Sequence, residues 1–82
     1  MRPPLSIESK VCGWLISTVL MPVEHPRGAW YETAVAELIG DGDETGPYGV
    51  TDRYATRSKA VKGHLRECDN IRNREVAGSE AA

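Results

Sequence analysis

The chain has 82 residues, 27% of them charged, a net charge of −2 and two cysteines. That is one domain, small enough that a single core is only marginally stable, and its near-neutral balance argues against bulk coating of nucleic acid. Its one apolar run, Trp14 to Met21, contains Ser17 and Thr18 and stops at Pro22; it is too short to span a bilayer and badly placed for secretion, so no membrane partner is expected.

Met1 to Lys10 holds Pro3-Pro4 and little apolar material, and residues 1–10 read as an unstructured tail. A first strand is expected over Val11 to Val23, rich in β-branched and aromatic residues. It is apolar on both sides, the pattern of a strand covered on both faces. His25-Pro26-Arg27-Gly28 reads as a turn. A second strand follows from Ala29 to Ile39, with Glu32 and Glu37 set among apolar neighbours. Gly40 to Gly46 is a polar loop, and Tyr48 to Ala55 a third strand.

At Arg53-Tyr54-Ala55-Thr56 the apolar period changes from two to about 3.6. Thr56 is a candidate N-cap, and Val61, Leu65, Cys68 and Ile71 make the apolar stripe of a helix. The helix carries six of the ten basic residues and ends near Glu75 or Val76, with Gly78 as its stop and 77–82 a second unstructured tail. The expected fold is α+β: a three-stranded antiparallel β-meander followed by one C-terminal amphipathic helix packed on one face, a single domain over 11–76. One helix covers one face. The other is left apolar and open, which predicts a homo-oligomer that buries it.

Asp41-Gly42-Asp43-Glu44-Thr45-Gly46, with Asp52 eleven residues after Asp41, is a partial calcium-loop pattern or a solvated hairpin loop. Cys12 and Cys68 lack CxxC spacing and read as two reduced thiols, with a bridge between strand and helix as the alternative. His25 and His64 have no third ligand at metal spacing, so no metal and no cofactor is expected. Gly63, inside the helix, points to a close approach of helix to sheet, and His64 to a hydrogen-bonded histidine at the core edge. Glu32 needs a partner, for which Arg53 is the natural candidate and His64 the other. The functional counterpart of that ion pair is a polar pocket of Glu32, Thr33, Arg53, Tyr54 and His64. Arg57 and Lys59 sit in the helix's first turn, where the dipole disfavours cations, so a phosphate-bearing ligand or an acidic protein would suit that end. No nucleophile–base pair or phosphate-cradling loop is recognisable, so a non-enzyme is expected.

Five short segments carry a resemblance: Ile16 to Leu20, Val23-Glu24-His25, Trp30 to Val35, Asp52 to Thr56, and Ala60 to His64. In order and spacing they resemble a family of small uncharacterised bacteriophage proteins with the outline STVxL…(D/E)H…(F/Y)ETMVF…RYxT…EAxxGH. The resemblance spans Ile16 to His64 and implies a phage or prophage origin and a host-cytoplasm location. Its recurrent polar residues would be His25, Glu32, Thr33, Arg53, Tyr54, Thr56 and His64. The chain departs from the outline at Ala34-Val35-Ala36 and at Arg57-Ser58-Lys59, where acidic residues are usual. The expected function is a small accessory protein that associates with itself and binds a host or phage protein. Alternatives are a non-enzymatic sponge for a phosphate-bearing nucleotide signal and a minor virion or assembly component.

Overall fold

Ser6–Val11 alternates Ile7, Ser9 and Val11 with Ser6, Glu8 and Lys10, and it forms a strand, β1, with its odd residues half-buried or buried and its even ones exposed. The expected N-terminal tail over 1–10 is therefore wrong from Ser6 onward. The computed structural model describes residues 2–40, 42 and 44–81, the side chains of Arg27 and 75–81 excepted. A two-residue turn, Cys12-Gly13, leads into β2 (Trp14–His25). Both turn residues have positive φ, 50° and 81°. That is the type I′ geometry whose twist matches the flanking strands. The expected first strand, Val11 to Val23, thus straddles a hairpin. Its apolar richness masked the turn, because Cys12 is not a usual turn residue.

A short 3-10 turn (Pro26–Gly28) leads to β3 (Ala29–Ile39), then β4 (Glu44–Thr45), β5 (Gly49–Tyr54) and α1 (Arg57–Ala81). All strand pairs are antiparallel: β1 with β2, β2 with β3, and β3 with both β4 and β5. Among the described residues the meander has five strands rather than three. β4 and β5 lie along the same neighbour, with Pro47 between them, because proline cannot donate to a ladder. At β5 the register slips between Thr33 and Ala34, leaving Thr51 as an extra residue whose hydroxyl donates to the Thr33 carbonyl at 3.3 Å.

Helix α1 crosses one face of this sheet and touches β1, β2, β3 and β5. Paired residues of an antiparallel sheet share a face. Ile7, Thr18 and Thr33 line up across it with Asp52, and Ser9, Ile16 and Val35 form a neighbouring row. Two clusters fill the layer beneath α1. One joins Val11 and Ile16 to Cys68 and Ile71, and the other joins Leu5, Tyr31 and Tyr54 to Ala60. The segment before β1 completes the second cluster. Leu20 N donates to Leu5 O, Tyr31 Oη to Pro3 O and Arg57 Nε to Pro4 O, at 3.0, 2.6 and 3.2 Å.

The buried stripe of α1 is Ala60, Gly63, His64, Cys68 and Ile71, not the expected Val61, Leu65, Cys68 and Ile71. Leu65 is 59% exposed. The Tyr54 ring occupies the place a side chain at 63 would take. Small residues at 60 and 63 let the helix sit low on the sheet, and this closeness, rather than the largest aliphatics, chose the inward face. Thr56 is the N-cap as expected, its hydroxyl accepting from Lys59 N at 3.2 Å. The helix continues past the expected end near Val76 to Ala81, so Gly78 does not stop it. Among the described residues no helix is long and apolar enough to cross a membrane.

Candidate functional site

The polar centre of the molecule lies between α1 and the sheet. His64 is 1% exposed. Its Nε2 is 2.8 Å from Ser9 Oγ on β1 and its Nδ1 2.8 Å from Thr18 Oγ1 on β2. Thr18 Oγ1 in turn lies 2.6 Å from Thr33 Oγ1 on β3. Helix and three strands thus meet in one ladder of hydrogen bonds. A neutral imidazole suits it, with one ring nitrogen donating and the other accepting, so the ladder can run in either direction. Burial lowers the His64 pKa from its ordinary value, because the charged form is desolvated. The buried polar groups Thr18, Thr33 and His64 satisfy one another, as an interior requires.

The expected pocket of Glu32, Thr33, Arg53, Tyr54 and His64 does not form, because the sheet passes through it. Thr33, Tyr54 and His64 belong to the helix side. Glu32 pairs with Arg53 in register on the opposite face, Nε to Oε2 3.1 Å. The alternation of a strand decides this: neighbours in sequence point to opposite sides. The cross-strand ion pair foreseen for Glu32 is present. His25 closes β2 opposite Ala29, away from the ladder. Arg57 and Lys59 are exposed in the first turn of α1, and Arg57 is spent on the Pro4 carbonyl. The eight expected residues therefore fall into separate neighbourhoods. Arg53 and His64, two members of that expected pocket, lie on opposite faces. Sequence reading missed Ser9 and Thr18, isolated hydroxyls whose shared partner is 55 and 46 residues away.

Opposite α1, the sheet presents Leu15, Ser17 and Val19 from β2, Ala34, Ala36 and Leu38 from β3, and Val50 from β5. Glu8 and Lys10 edge this strip on β1, and Glu32–Arg53 interrupts it on the far side. Val50 is 49% exposed, while Leu15 and Ala36 are already buried. The face is flatter than expected, since Trp14, Ile16, Leu20 and Tyr31 all turn toward the helix. At the end where β2 overruns β1, Arg2, Leu20, Met21, Pro22 and Trp30 line a cleft of about 580 Å³. Arg2 stacks on Trp30 at 4.2 Å.

Cys12 is exposed, Cys68 is buried, and both are free thiols. Among the described residues no group of three His, Cys, Asp or Glu side chains is placed to hold a metal ion. The calcium pattern rests on Asp41 and Asp43, which lie outside the described residues. Compared with protein-family models, curated proteins and solved structures, the chain has no match in any of the three.

Proposed function

We propose that the chain is a small non-enzymatic accessory protein of phage origin, acting in the host cytoplasm as an interaction module that associates with itself. The observation that carries this reading is the face opposite α1. Four strands at about 4.8 Å spacing, each about six residues long, make a surface of roughly 400 Å² in projection. Its middle is made of the short side chains Ser17, Ala34 and Ala36, flanked by Leu15, Val19 and Val50, and flat sheet faces of this kind pack on one another about 10 Å apart. The described chain has one helix, and it lies on the other side.

The polar residues singled out by the phage-family resemblance also favour a non-catalytic role, because the fold uses them. Thr56 caps α1, Tyr54 packs on Gly63, Glu32 holds Arg53, and His64 ties Thr18 and Thr33. Val50→Glu puts a charge at an exposed position of the open face. Sedimentation velocity should show the natural chain self-associating and this variant at a lower assembly state with unchanged helix content. A natural chain that stays monomeric at every concentration would end this reading.

A further inference from the structure

The two outer edges of the sheet differ. β5 is broken by its bulge at Thr51, and its Asp52 reaches Arg66 on α1 at 3.7 Å. β1 is six residues in unbroken register, with no proline inside it. Leu20 N donates to Leu5 O at 3.0 Å, so Leu5, Ile7, Ser9 and Val11 turn their backbone groups toward β2. Ser6, Glu8 and Lys10 turn theirs to the free edge. An unpaired row of this kind is a template for another strand.

We infer that a second copy of this chain adds its own β1 to this edge, antiparallel and centred on Ser9. Only pairings that match outward groups with outward groups can form the ladder, so residues of like parity must face each other. Centring on Glu8 opposes two Glu8 carboxylates, and centring on Lys10 opposes two ammonium groups. Centring on Ser9 sets Glu8 against Lys10 of the second copy, twice over by symmetry. It also sets Ile7 against Val11 on the helix side. The stretch Ile7-Glu8-Ser9-Lys10-Val11 is thus self-complementary in charge and in apolar content.

The product is one continuous sheet with both helices on the same side. Its two-fold axis runs through the facing Ser9 residues, which brings the two Ser9–His64 contacts side by side. This contact uses an edge and the module proposed above uses a face: a natural chain that never associates would end both, and where it does associate, Val50→Glu reports on the face and the charge exchange below on the edge.

Charge exchange tests it. Glu8 and Lys10 are both exposed, and among the described residues the one contact reversal removes within the chain is Lys10 Nζ donating to Gly42 O at 3.3 Å, so thermal melting of each variant checks that the fold is kept. Two pairs change from attraction to repulsion together, so Glu8→Lys alone or Lys10→Glu alone should weaken the edge contact about tenfold. An equimolar mixture of the two variants restores both pairs across one interface. Fluorescence energy transfer between labelled variants should then show a mixed dimer at natural affinity. The same mixture carrying Val50→Glu should still pair. Single variants that associate like the natural chain, or a mixture no tighter than either variant alone, would overturn the inference.

Discussion

Gly63→Ala tests how closely α1 sits on the sheet. In an exposed helix interior this substitution stabilises by about 1 kcal/mol, because alanine loses less backbone entropy than glycine. Here the new methyl would overlap the phenol end of Tyr54, whose ring is 8% exposed among Leu5, Tyr31 and Ala60. Either α1 lifts, straining the layer by about 1–3 kcal/mol, or the ring swings out and forfeits about 1.5–3 kcal/mol of burial. The steric loss offsets and outweighs the helical gain, and the variant should be less stable by up to about 2 kcal/mol. For a domain of this size that lowers Tm by up to about 15 °C.

The assay is thermal and urea unfolding followed by circular dichroism, run as a double-mutant cycle with Tyr54→Ala. With the ring gone, the overlap with its phenol end is gone, and Gly63→Ala should then stabilise by up to about 1 kcal/mol. A sign that inverts with the background is the signature of direct contact. If Gly63→Ala raises Tm in the natural chain, or has the same effect in both backgrounds, the close approach is refuted.

The His64 pKa, lowered by desolvation, implies a definite pH slope. More than about one unit above pH 6.5 the ring is neutral folded and unfolded, and contributes no dependence. Below it the unfolded chain takes up a proton that the buried ring refuses. Stability should therefore fall as pH drops from 6.5 toward the folded-state pKa, then level off. His64→Gln, which keeps hydrogen-bonding groups without titrating, should remove that segment of the profile in urea titrations. Cys12→Asn should stabilise the chain by about 0.5–1 kcal/mol, since asparagine tolerates the positive φ of a type I′ turn. A stability unchanged or lowered by that substitution would place the strain elsewhere.

Local pattern was enough for several elements. The change of period at Tyr54 and the hydroxyl of Thr56 marked the start of α1, and Gly63 marked its contact with the sheet. The aromatic pair Trp30-Tyr31 and the β-branched Thr33 identified β3, and an acid inside it called for its partner, Arg53. These features are legible because each depends on a few neighbouring residues, or on one charge that must be balanced. Tertiary structure decided the rest. β1 is polar on one side and follows two prolines, so only its pairing with β2 makes it a strand. The inward face of α1 was chosen by where the backbone could come closest, which favoured Ala60, Gly63 and His64 over Leu65. The ladder joins Ser9, Thr18, Thr33 and His64 across four elements. No one-dimensional period encodes that meeting, because hydrogen bonds between distant hydroxyls exist only after the layers have packed.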